Sequence, residues 1–271
     1  MRINNNLMAM NTHRQLGIAN NGGAKSMEKL SSGYRINRAG DDAAGLSISE
    51  KMRAQIRGLN MASKNSQDGI SLIQTAEGAL DEVHAMLQRM RELAVQAASD
   101  TNDDGIDRAA LQEEVSALQS EIKDIEVRAE FNGMKLLDGD FTDKQIQIGA
   151  KEGQKLDITI DKLTDEVTDA LSADISNRAN AEKAISAISG SINKLSTMRS
   201  KLGALQNRLE HTIKNLDNSA ENLQAAESRV RDVDMAKEMM EQTKQNILQQ
   251  ASTAMLAQAN QAPQTVLQLL R

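Results

Sequence analysis

The sequence has no cysteine and no tryptophan. That excludes disulfides and thiolate metal sites, although a cysteine-free chain suits an exported protein as well as a cytosolic one. Aromatic rings are scarce too, with Tyr34, Phe131 and Phe141 as the full set. A globular core usually leans on aromatics, so burial here must come from Leu, Ile, Val, Met and Ala, as in helix bundles. No apolar run approaches the roughly eighteen residues that span a bilayer. The stretch from Met1 to Arg14 also lacks the apolar segment and cleavage site of a secretory leader. We therefore expect no membrane partner, and any export must use another route. Positive charge is in deficit: the net charge is -6 and the pI near 5.3, whereas binding to nucleic acid needs a basic stripe.

A further absence gives the chain its organisation. Ala204 to Ala262 contains neither glycine nor proline and reads as one continuous helix, about 90 Å long at 1.5 Å per residue. A compact globule of this chain length has a radius of gyration of roughly 18 Å, so the sequence predicts a rod. From Gln245 to Leu270 there is no Asp, Glu, Lys or Arg. A solvated helix face normally carries charge, so this end is expected to be covered by something.

Upstream, Ile3, Leu7 and Met10 recur at helical spacing, and Met27 and Leu30 resume the pattern after Gly22-Gly23. Two adjacent glycines cost a helix about 2 kcal/mol, so this segment needs a partner. Residues 33–45 hold Arg35, Arg38, Asp41 and Asp42 among three glycines and read as a charged connector. The spacing predicts helices over 46–98, 104–130 and 179–229, with a β-hairpin region over 131–162 and a polar tip loop over 162–177. The helix over 46–98 shows two adjacent apolar stripes. One passes through Ile73, Glu77, Leu80, His84, Leu87 and Arg91, the other through Ala76, Val83, Met90 and Leu93. Two stripes imply two neighbours, the requirement of a bundle.

The expected fold is therefore mainly α, an elongated antiparallel helical bundle or coiled coil with a small β-hairpin region. Its domains are a terminal-helix unit from 1–32 and 230–271, the connector over 33–45, and a rod over 46–229. The chain goes out and returns, which brings the terminal helices together, and two helices alone bury only part of their surfaces. The surplus is expected to meet other copies, and a head-to-tail contact whose rotation does not close makes a helical filament. The residues expected to carry self-assembly are Ile3, Leu7 and Met10 at one end. At the other they are Ile247, Leu248, Met255, Leu256, Val266, Leu267, Leu269 and Leu270.

Taken together, the residues resemble the bacterial flagellins, the subunits of the flagellar filament. The resembling segments include Met27-Glu-Lys-Leu-Ser-Ser-Gly-Tyr-Arg-Ile-Asn-Arg-Ala-Gly-Asp-Asp-Ala-Ala-Gly-Leu46 and Asn65-Ser-Gln-Asp-Gly-Ile-Ser-Leu-Ile-Gln-Thr-Ala-Glu-Gly-Ala-Leu80. Others are Gln88-Arg-Met-Arg-Glu-Leu-Ala-Val-Gln96, Phe131-Asn-Gly133, Asn207-Arg-Leu-Glu210 and Ala257-Gln-Ala-Asn-Gln-Ala-Pro-Gln264. The resemblance implies a homopolymer used for motility, with the terminal helices as an inner coiled-coil domain and the rod outside it. It implies a short form without extra outer domains. It also implies export unfolded through the flagellar channel, an export chaperone, a cap protein at the tip and a hook-associated junction protein as partners. A Toll-like receptor in animals senses such proteins, and the matching positions here are Gln88, Arg89, Leu93, Gln96 and Glu114. Where some relatives have a receptor-contacting Arg one helical turn after the Glu, this chain has Leu118. The resemblance is densest around Arg35, Arg38, Asp41 and Asp42, which favours pairing between subunits over plain solvated loop charges.

Other features carry ordinary readings. Asp100-Thr-Asn-Asp-Asp-Gly105 begins like a calcium loop, but Leu111 stands where the bidentate Glu belongs. His13, His84 and His211 lie on separate helices, and no nucleophile, base and orienter form a constellation. No catalytic residue and no cofactor is expected. The alternatives are the junction protein between hook and filament, and an intracellular coiled-coil scaffold.

Overall fold

The computed structural model describes residues 6–101, 103 and 105–269, with side chains as far as Gln261. The described residues form six helices: α1 (Leu7–Ser32), α2 (Ala43–Ala97), α3 (Asp107–Arg128), α4 (Leu163–Leu171), α5 (Arg178–Arg231) and α6 (Met235–Leu269). Two antiparallel strand pairs join β1 (Glu130–Phe131) to β2 (Met134–Lys135), and β3 (Lys144–Gln147) to β4 (Lys155–Ile158). The chain divides into two units, one of Met1–Ala54 with Glu221–Arg271 and one of Gln55–Ala220. No helix among the described residues is long and apolar enough to cross a membrane.

The second unit holds most of the core. On α2 the buried positions include Ile73, Ala76, Leu80, Val83, Leu87, Met90, Ala94 and Ala97, alternating by three and four, with Leu72 and Leu93 beside them. They join Val115 and Ile122 of α3 and Ile188, Leu195, Met198, Leu202 and Leu209 of α5 in one hydrophobic cluster. The two expected stripes are thus the flanks of a single buried seam. Their charged members fall outside it: Arg91 is exposed, and Glu77 lies 3.8 Å from Arg199, whose other partner is Asp81 at 2.9 Å.

The tip loop expected over 162–177 is corrected by the structure, since α4 occupies much of it. Leu163, Val167 and Ala170 are buried at i, i+4 and i+7, and Asp165 and Glu166 sit in the first turn, where the helix dipole favours acids. Gln119 of α3 donates to the carbonyls of Ala170 and Ala173 at 3.2 and 3.0 Å, which ties down the end of α4. The side chain of Gln112 accepts from the Ile175 N–H at 2.7 Å.

The hairpin expected from the alternating Ile146, Leu156 and Ile158 is present as β3 and β4, with Ile146 opposite Leu156. The turn signal at Phe131-Asn-Gly133 also makes a hairpin. Asn132 and Gly133 both have positive φ, 51° and 75°, as a two-residue type I′ turn requires. Arg108 at the start of α3 is a buried cation. It donates from Nε to the carbonyl of Ala97 at 2.7 Å and from Nη2 to that of Ser99 at 2.8 Å, satisfying carbonyls at the end of α2.

The continuous helix expected from Ala204 to Ala262 is also corrected, because it breaks at Asp232–Asp234 between α5 and α6. Backbone pairing to the connector takes over there: Val233 N–H donates to Gly33 at 3.0 Å, and Asp232 forms an antiparallel bridge with Tyr34. Asp234 then restarts the helix as its N-cap, accepting from the Lys237 N–H at 3.2 Å.

Candidate self-assembly surface

The connector over 33–42 is anchored by Ile36, which is 1% exposed. Its charges have partners in the same chain. Arg35 donates its backbone N–H to the Arg231 carbonyl at 2.7 Å and its guanidinium to the Val230 carbonyl. Arg38 pairs with Glu28 of α1 at 2.9 Å. Asp41 accepts from the N–H groups of Arg38 and Asn37 at 3.0 and 3.2 Å, and these hold its carboxyl below the usual range. Asp42 accepts from Gly45 N–H at 2.8 Å and so caps α2. A Cβ at Gly45 would lie 2.5 Å from the Asp42 carboxylate and 2.7 Å from Ile36, so a larger residue would force the capping carboxylate and the buried Ile36 side chain to shift. Arg231 stacks over Tyr34, 4.7 Å from the ring centroid, and donates to Glu50 at 2.8 Å. That hydrogen bond lowers the Glu50 carboxyl pKa.

Helices α1 and α6 run antiparallel. The Asn6 side chain donates to the Ala259 carbonyl at 2.7 Å, the Gln245 side chain lies where a Cβ on Gly22 would sit, and Lys29 approaches Glu238 at 3.9 Å. The glycine pair that weakens α1 is thus also where α6 packs closely. Small or polar residues dominate the shielded positions. On α1 these include Ala9, Thr12, Leu16, Ala19, Gly22 and Ser26; on α6 they include Glu238, Gln242, Gln245, Ser252, Leu256 and Ala259. Gln245 donates to Glu241 at 2.7 Å and, with Lys244, holds that carboxyl below its usual range. The only fully buried residues on the two helices, among the described side chains, are Ala19, Ser26 and Ala259.

The large apolar residues point the other way. Leu7 is 69% exposed and Met240 68%, and Met8, Met10, Ile18, Met27, Met235, Met239, Ile247, Leu248 and Met255 are exposed with them. Of the residues expected to carry self-assembly, Leu7, Met10, Ile247, Leu248 and Met255 lie on this outward surface, while Leu256 is half-buried. Ile3 and Leu270 lie outside the described residues. So do the side chains of Val266, Leu267 and Leu269, although α6 runs through those positions. Met8, Met27, Met235, Met239 and Met240 were outside the expected self-assembly set, although Met235, Met239, Met240 and Met255 read in the sequence as adaptable packing between filament neighbours.

In the second unit, the residues matched to receptor contact divide. Gln88, Arg89, Gln96 and Glu114 are exposed. Arg89 donates to Glu114 across α2 and α3 at 2.9 Å and pairs with Glu92 at 3.2 Å. Leu93 is different: at 1% exposed it belongs to the core and offers no surface to a partner. Leu118 is half-buried against the same core. A depression of about 570 Å³ lies beside these residues, lined by Gln88, Arg91, Glu92, Val95 and Gln96.

Comparison with known proteins matches this arrangement to one family. The profile described as the bacterial flagellin N-terminal helical region matches residues 3–142, and that of the C-terminal helical region matches 185–270. A flagellin of Halalkalibacterium halodurans is 64% identical over 273 residues, and one of Bacillus subtilis 55% over 304, each covering 100% of both chains. The flagellar filament 33 kDa core protein of Treponema phagedenis is 50% identical with the same coverage. Among solved structures, Bacillus cereus flagellin aligns at a TM-score of 0.53 and 33% identity, covering 60% of this chain and 94% of that one. A Vibrio parahaemolyticus chain described as a flagellar hook-associated protein shares the fold at a TM-score of 0.61 and 13% identity, covering 71% of this chain and 100% of that one. The chain belongs to the bacterial flagellin family.

Proposed function

We propose that this protein is the repeating structural subunit of a flagellar filament, and that the outward faces of α1 and α6 supply its polymerisation contacts. The carrying observation is the bias within that helix pair, where small and polar residues hold most of the shared seam beside Leu16, Leu30 and Leu256, while eleven large apolar residues are exposed. Covering the exposed half of eleven such side chains supplies about 1 kcal/mol each, on the order of 10 kcal/mol in all. Association costs about 4–15 kcal/mol in lost translational and rotational freedom. A single contact is therefore marginal. An array is not, because an incoming subunit loses its freedom once and meets several neighbours. Growth should accordingly be slow without seeds and fast with them.

The test is light scattering and electron microscopy after seeding the purified chain. The full chain should form long fibres, and a chain lacking Gln245–Arg271 should stay soluble. Fibres from the truncated chain would show that the charge-free segment is not needed. A hook-filament junction protein would stop after few copies.

Family membership supports the finer partners. We include among these export in an unfolded state, a chaperone for the C-terminal part, a cap protein and a junction protein. Gln88, Arg89, Gln96 and Glu114 form the receptor-facing set, without Leu93. Replacing Arg89 by Ala should weaken binding of unassembled protein to the receptor ectodomain while leaving seeded growth intact. Unchanged binding would remove Arg89 from that set.

A further inference from the structure

Of the eleven large apolar side chains turned outward on α1 and α6, seven are methionines. Leucine would cover a partner equally well, but the thioether differs in chemistry as well as flexibility, because it is oxidised where it meets an oxidant. The chain has no cysteine to intercept that oxidant first. Met90 and Met198, at 0% and 3% exposure in the core of the second unit, give an internal contrast within the same polypeptide.

We propose that these seven methionines make assembly oxidation-sensitive: peroxide converts them to sulfoxides in the unassembled chain and blocks its addition to a filament, whereas assembly shields them. The inference rests on the proposed polymerisation surface. In the reaction the sulfur lone pair attacks one peroxide oxygen and the O–O bond breaks as the S–O bond forms. The departing hydroxide takes the proton of the transferred oxygen and leaves as water. Sulfur loses two electrons and hydrogen peroxide gains them, so no further reactant is needed. The product carries a strong dipole on a side chain that must enter a dry apolar contact, where no donor has been provided for it. The pairing of α1 with α6 should survive, because the shielded seam described above contains no methionine.

The test treats unassembled chain and preformed fibres with hydrogen peroxide, maps each sulfoxide by peptide mass spectrometry and measures seeded elongation. In the unassembled chain the seven outward methionines should oxidise well ahead of Met90 and Met198, and elongation should fall by about tenfold or more. In fibres the seven should be protected. Treatment with the two methionine sulfoxide reductases should restore growth, and a variant with Met239→Leu and Met240→Leu should lose less growth on oxidation than the unaltered chain. Elongation that survives full oxidation of the seven, fibres whose outward methionines oxidise as fast as in free chain, or lost growth that the reductases do not restore would each overturn the proposal. Failure of the untreated chain to elongate on seeds would instead sink the polymerisation surface itself.

Discussion

The connector shows how single residues fix a local shape. A Cβ at Gly45 would have to displace the Asp42 carboxylate that caps α2 and the side chain of the buried Ile36. Gly45→Ala should therefore destabilise the protein by about 1–3 kcal/mol, read as a lower denaturation midpoint, even though alanine is the better helix former. Asp41 has a pH signature. Its folded-state pKa lies below the ordinary value, first through the Arg38 N–H and then through that of Asn37. Its contribution is therefore present above the ordinary Asp value and is lost as pH falls below about 4. Amide exchange at Asn37 and Arg38 should accelerate over that window once corrected for intrinsic rates. In Asp41→Asn the acceleration should vanish, and an unchanged profile would mean that another group titrates. At this scale the sequence pointed to pairing of the four connector charges between subunits, whereas within the single chain each already has a partner. These partners were not legible, because Asp41 and Asp42 pair with backbone N–H groups and the Arg35 guanidinium with the Val230 carbonyl, 195 residues along the chain.

At the scale of elements, long periodic helices were legible. Helices α2, α3 and α5 lie within three residues of their expected bounds because their apolar residues repeat over many turns. Two features were harder to read. The apolar positions of α4, Leu163, Val167, Ala170 and Leu171, have helical spacing, but nine residues give that spacing too few repeats to stand out from a polar surrounding. The break at Asp232–Asp234 contains no glycine or proline and depends on Gly33 and Tyr34, some two hundred residues earlier. Only Asp234 could have signalled it, as a helix N-cap. Leu163→Ala should cost about 2–5 kcal/mol by leaving a cavity in the core, whereas Ile18→Ala should change the stability of the free chain by less than about 0.5 kcal/mol. Equal losses in denaturant titrations would contradict the inward and outward assignments.

For the whole molecule, its two units differ in what they bury. The second has a continuous apolar cluster drawn from α2, α3, α4, α5 and the hairpin. The first pairs α1 with α6 through a seam mostly of small and polar side chains and leaves eleven larger apolar groups exposed. The missing charge after Lys244 made a surface in need of cover legible in the sequence. Which residues of α1 shared that surface was not, since it depends on how α1 is rotated against α6, and a seam made mostly of small and polar residues leaves little periodic mark. The most direct measurement is seeded elongation of an Ile18→Asp, Ile247→Asp variant beside its thermal denaturation. Outward faces that serve only association predict an unshifted melting temperature together with abolished growth. Fibres growing at the unaltered rate, or a variant that melts several degrees early, would contradict that division of roles.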